Sequence, residues 1–249
     1  MGHVTTLTPV SYAHEHDAMP HHTHRDLRGG GARAAVFGIS DGLVTNVSLV
    51  LGVAGASPGG SVVRLAGVAG LIAGSFSMAS GEYISMTAQR ELMERELEVE
   101  RRSLHRSPEG EAAELRAMYV KRGIDPSVAT EMTNEVMQDP ELALETHARE
   151  ELGITTQNLG SPWQAAAASF VTFAVGAFVP LAPWLFTSGT AAIVLSVVLG
   201  AVASLAVGVV LARFTERPAV VSALRQLTVT AIAAAVTFGV GRAIGTGVA

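Results

Sequence analysis

Cysteine is absent from the 249 residues, which excludes disulfides, thiolate metal sites and cysteine nucleophiles. Charge is scarce as well. Only 16% of residues are charged, against about 25% in soluble domains, so an ordinary soluble fold is a poor fit. No internal period marks a solenoid. A formal net charge of −5 argues against a nucleic-acid partner. Lysine occurs once, against sixteen arginines.

The charge that is present is concentrated. Residues 87–162 hold 16 of the 22 acidic and 9 of the 17 basic residues. The chain therefore reads apolar, acidic, apolar. A hydrocarbon core about 30 Å thick takes about 20 helical residues to cross. Five runs reach that length: 34–57, 61–86, 163–186, 190–212 and 219–246. Arg225 and Arg242 lie near the ends of the fifth, where long side chains reach the interface. Gly70 with Gly74, and Gly241 with Gly245, have the spacing that lets membrane helices approach closely. Pro180 and Pro183 predict a kinked third span.

Arginine and lysine mark the tail before the first span, the acidic insert and the loop before the fifth span, while the other loops carry none. This alternation predicts that the N-terminus and the insert are cytoplasmic and the C-terminus outside. The arginine bias suits a GC-rich genome and hence a bacterial plasma membrane. Four units are expected: a His-rich tail without order at 1–32, spans one and two at 33–87, a helical metal-binding insert at 88–162, and spans three to five at 163–249. The fold class is all-α, a five-helix transmembrane bundle with the insert between helices 2 and 3.

Within the insert, the second span is expected to run on to about Arg106, where Ser107-Pro108 stops it. A helix follows at 109–122. Asp125-Pro126 and Asp139-Pro140 each read as an N-cap with proline at the first helical position, opening helices at 126–138 and 140–152. Gly153 supplies the stop.

An acidic helical insert reads most cheaply as a solvated face with i,i+4 ion pairs. Several positions do not fit that reading. Glu100 lies on the stripe of Met93, Leu97 and Leu104. Glu111 and Glu114 stand beside Leu115 and Met118, and Glu151 shares a face with Leu144, His147 and Ala148. Inward carboxylates on three helices repel unless a cation lies between them. Oxygen ligands with one imidazole, His147, suit Fe²⁺, Mn²⁺ or other fairly hard ions. The Glu-x-x-His of a di-iron enzyme is missing, since Arg102 precedes His105 and Leu144 precedes His147 at that spacing. Asp41 and Glu82 lie within spans, where charges are expensive and usually functional. With Met78 one turn from Glu82, they outline a path for a cation. Thr45, Asn46 and Ser48 read as polar links between helices. The tail sequence HEHDAMPHHTH (14–24) offers weak metal capture.

These residues also resemble a known family. DGLVTNVSLVLGVAGA (41–56) is similar to the first-helix signature of the vacuolar iron transporter family. SMASGEYIS (77–85) resembles its second-helix motif, REELG (149–153) its insert ending, and FAVGAFVPLAP (173–183) its third helix. The resemblance runs in order from Arg33 to Gly245. It implies a homodimer, not an enzyme, with a cation path at the dimer interface. Its activity would be export of Fe²⁺, and often Mn²⁺, from the cytosol in exchange for H⁺, with no cofactor beyond the transported ions. On the resemblance Asp41 and Met78 line the path, Glu82 lies near its cytoplasmic mouth, and Glu100, Glu111, Glu114 and Glu151 bind metal in the insert. Two departures bear on ion number and iron preference: His147 and Ala148 stand where the family often has methionines, and Ser103 where a further glutamate is expected. The rival expectations are a membrane-anchored metal store or sensor, and a passive divalent-cation channel.

Overall fold

A computed structural model describes residues 30–56, 59–153 and 160–247. The His-rich tail, the first two residues of the Ser57–Gly60 turn and residues 154–159 lie outside them. Every regular element among the described residues is helical: α1 (Gly30–Ala56), α2 (Gly60–Arg106), α3 (Pro108–Lys121), α4 (Pro126–Val136), α5 (Pro140–Glu151), α6 (Pro162–Phe186), α7 (Gly189–Thr215) and α8 (Ala219–Gly247). The chain is all-α, as expected. Five helices, α1, α2, α6, α7 and α8, are long and apolar enough to cross a membrane.

Helix α1 is the centre of the bundle. Its Gly38 and Gly42 lie against Ser169, Thr172 and Phe173 of α6, and Gly52 and Gly55 against Thr237 and Phe238 of α8. Both pairings advance together along the chain, so α1 runs parallel to α6 and to α8. Helix α2 runs antiparallel to α6, with Gly67 on Leu181 and Gly74 on the Phe173 ring. A Cβ on Gly42 would collide with Phe173 backbone, and one on Gly241 with Gly52 backbone. The close approach read from the glycine spacings is therefore present at backbone distance for Gly241 and Gly245, whereas Gly70 and Gly74 lie against the side chains of Leu49 and Phe173.

The two ends of the bundle are marked by separate clusters. Ala34, Met86 and Ala165 join the start of α1, the middle of α2 and the start of α6. Ala54, Val63, Trp184 and Ala192 close the opposite end. The spans thus alternate in direction.

Helix α6 passes through Pro180 and Pro183 without interruption. Each proline removes the donor for the carbonyl four residues earlier. Side chains from neighbours reach the adjacent carbonyls: Asn46 Nδ2 donates to Ala177 O at 2.6 Å, and Ser196 Oγ donates to Pro180 O at 2.7 Å. Asn46 is thus the interhelical link expected of it. Thr45 instead donates within its own helix, to Asp41 Oδ1 at 3.4 Å, and the buried Ser48 hydroxyl has no partner.

Helix α2 is a single element of 47 residues, about 70 Å at 1.5 Å per residue. It spans the bilayer and projects well beyond it. The short helices fold back on this projection because their ends are fixed locally. Ser107 ends α2, and Pro108 occupies the first turn of α3, where its missing N–H costs nothing. The Asp125 carboxylate accepts from Ser127 N at 2.9 Å, and Asp139 accepts from Glu141 N at 3.0 Å and Leu142 N at 3.3 Å. Hydrogen bonds from Ser127 hold the Asp125 carboxyl below its usual range. After α5, Gly153 adopts φ +65°, the left-handed conformation that a side chain resists.

Candidate metal centre

The capped start of α5 sets the register of its last two turns. His147 and Glu151 then fall on one face, four residues apart, turned toward α2 and α3. Leu144, His147 and Ala148 are buried there. On α2, Leu97 and Glu100 are buried at one-turn spacing, and on α3 the fully buried Leu115 lies one turn after Glu111.

These faces bring four side chains together. One ligand atom each from Glu100, Glu111, His147 and Glu151 lies within 4.8 Å of all the others. His147 is the hub and is fully buried. Its Nδ1 is 3.0 Å from Glu151 Oε1, 3.2 Å from Glu100 Oε1 and 3.7 Å from Glu111 Oε2. Glu100 Oε1 and His147 Nε2 are sealed from solvent without a hydrogen-bond partner, an arrangement that buried polar groups seldom keep.

The electrostatics are those of a site short of positive charge. Even with the imidazole protonated, the three carboxylates leave two net negative charges in the group (−3 + 1). Burial pushes the Glu100 carboxyl above its ordinary 4.5; Glu151, Glu111 and Glu114 add to the rise, and His147 opposes it. Glu111 is raised above the same value, again chiefly by burial. A dication relieves this repulsion directly. Three carboxylate oxygens and one imidazole nitrogen, with no sulfur, form a donor set for first-row divalent ions.

Glu114 is exposed and stands outside the four-residue group. It lies close enough to act on Glu100 and Glu111 through charge alone. Ser103 is half-buried one turn after Glu100. Behind the centre, Arg122 at the end of α3 is ion-paired with Glu150, the neighbour of Glu151. Tyr119 is buried beside them, with its hydroxyl pKa raised by burial and then by Glu150. Nothing in the periodicity of α3 or α5 identified this clamp, because it joins residues 28 positions apart through tertiary packing.

Among the membrane residues, Asp41 is half-buried on α1, and among the described residues Thr45 of its own helix is its one hydrogen-bond partner. Met78 and Glu82 are half-buried one turn apart on α2. The partner of Glu82 is Arg33, whose Nη2 donates to Oε1 at 3.4 Å. Sequence reading used Arg33 only as a marker of sidedness. Glu82 and Glu100 lie on the same continuous helix, 18 residues apart, or about 27 Å along its axis.

The VIT family model matches residues 32–242. A vacuolar iron transporter of Acanthamoeba castellanii is 36% identical over 225 residues, covering 88% of this chain and 81% of that protein. Vacuolar iron transporter 1 of Eucalyptus grandis is 32% identical, covering 85% of this chain and 86% of its own length. Vacuolar iron transporter 1 of Oryza sativa subsp. japonica is 30% identical over 98% of this chain and 97% of its own.

Proposed function

This chain belongs to the VIT family, and from that premise we propose that it exports Fe²⁺ or Mn²⁺ from the cytosol in exchange for protons. The observation that carries the reading is the placement of two sets of ligands on one helix: Glu100 within a four-ligand group outside the membrane, and Met78 with Glu82 inside it. In this reading the insert is cytoplasmic. Glu100, Glu111, His147 and Glu151 collect the ion, with Glu114 adding negative potential at the edge.

The ion then enters the membrane past Glu82 and Met78 to Asp41, exchanging water for carboxylate and thioether ligands. Metal and proton exchange at the Asp41 carboxylate. Release of one on binding of the other gives exchange. A second copy of the chain completes the path as a homodimer, and a bacterial plasma membrane is the proposed location.

Uptake into inside-out vesicles tests this, comparing Fe²⁺, Mn²⁺, Zn²⁺ and Co²⁺ with and without an imposed proton gradient. Gradient-dependent accumulation of Fe²⁺ or Mn²⁺ is expected. Flux indifferent to the gradient would instead indicate a passive channel. Binding without flux would indicate a metal store.

A further inference from the structure

We propose that Arg33 is a tethered competitor for the Glu82 carboxylate, which makes the entrance of the path open to dications and closed to monovalent cations. This rests on the transport reading above and adds a selectivity step to it. The pair joins α1 to α2 across 49 positions of sequence, with Arg33 Nη2 at 3.4 Å from Glu82 Oε1. Its two members differ in exposure: the arginine side chain is 72% exposed and the glutamate 15%. The guanidinium can therefore withdraw into water at little cost, whereas the carboxylate stays where it is.

The placement is built into the backbone. Ala34, next to Arg33, is 2% exposed and packs with Met86, one turn beyond Glu82, and with Ala165. This anchor hangs the arginine over the carboxylate. The separation exceeds the roughly 2.7–2.9 Å of a tight charge-assisted bond, so the contact is loose enough to exchange. Arg90, the next basic residue along α2, is taken up by Glu94 at 2.7 Å and does not replace Arg33.

A cation arriving at Glu82 must displace a guanidinium of charge +1. A monovalent ion brings no greater charge than the group it displaces. A dication doubles the Coulomb energy at equal distance and wins.

The test uses the full-length chain in proteoliposomes, following Mn²⁺ uptake under a proton gradient with and without K⁺ at cytosolic strength. Arg33→Gln is expected to lower the half-saturating Mn²⁺ concentration about fivefold, near the upper end for a partly exposed ion pair. Its maximal rate should hold, and K⁺ should become a competitive inhibitor. Arg33→Lys, which keeps the charge, should behave as wild type.

Arg33→Ala is the second neutral variant should Arg33→Gln be poorly folded, and Mn²⁺ calorimetry at the distant insert checks folding of each. The role of Arg33 is overturned if the neutral variants leave half-saturation and K⁺ sensitivity unchanged, or if Arg33→Lys matches them, while wild type transports Mn²⁺. Absence of Mn²⁺ flux in wild type overturns the transport reading and this step together.

Discussion

Glu100 and His147 meet across two helices, with Oε1 of the first 3.2 Å from Nδ1 of the second, although 47 residues separate them. Neither is stable alone in that position. Glu100 is a buried carboxylate with an unpaired oxygen, and His147 a buried imidazole with an unpaired nitrogen. A cation shared between α2, α3 and α5 would satisfy the Glu100 oxygen and take His147 through Nδ1, the nitrogen that faces the carboxylates.

Removing either partner should weaken metal binding by at least about tenfold, the lower end of the cost of losing even an outer-shell partner. Mn²⁺ titration calorimetry on Glu100→Gln and His147→Ala measures this. Glu131→Gln, an exposed glutamate on α4, should bind as wild type. Equal affinity in all four proteins would show that the group is not the site.

The raised carboxyls fix a direction for pH. A group whose pKa is higher folded than unfolded contributes stability below its unfolded value, and that contribution is lost as pH rises through the folded one. For Glu100 and Glu111 the loss begins above the ordinary value of 4.5. The metal-free insert should therefore loosen as pH rises from 4.5 toward neutrality. Hydrogen exchange over residues 108–151, corrected for intrinsic rates, should show this, and Mn²⁺ at neutral pH should restore protection. Protection that increases with pH in the metal-free chain would contradict it.

Asp41→Asn keeps the shape of the side chain and removes its titration. Flux driven by a proton gradient should fall at least tenfold, about 1.4 kcal/mol or more in effective barrier. Metal binding at the insert should be unchanged. Wild-type flux from Asp41→Asn would remove Asp41 from the coupling step.

Glycines of α1 and α8 separate packing from mere composition. Gly42→Val places a side chain on the Phe173 backbone and should destabilise the bundle by about 3 kcal/mol, at the upper end of overpacking costs. Gly239 has open space around its Cα. There Gly239→Ala should be neutral or stabilising by up to about 1 kcal/mol, since alanine loses less backbone entropy in a helix. Thermal unfolding in detergent distinguishes the two.

Much of this was legible because its causes are local. Apolar length located the five spans, and Asp125-Pro126 and Asp139-Pro140 located two helix starts within a residue. Stripe arithmetic turned Glu100, Glu111 and His147 inward, since leucines one turn away must be buried and carry their neighbours with them, while Glu151 joins the group from an exposed position at the end of α5. The same arithmetic could not rank Glu111 above Glu114, which are one turn apart. Packing settled it: Leu115, four after Glu111, defines the buried line, and Glu114 lies on its flank. Thr45, read as a link between helices, instead turns its hydroxyl to its own helix. The pairs Arg33 with Glu82 and Arg122 with Glu150 depend on how helices cross, which no single-helix periodicity encodes.

The unbroken course of α2 has a mechanical meaning. With Glu82 as a fulcrum, Glu100 sits on a stiff lever about 27 Å long, so a tilt of about 10° at the membrane swings it by about 5 Å. That displacement is comparable to the 4.8 Å spread of the four ligand atoms. Because α3 and α5 pack on α2 and on each other, any rocking of this helix would carry the four ligands with it, so the metal centre moves as a unit relative to α1 and the other spans.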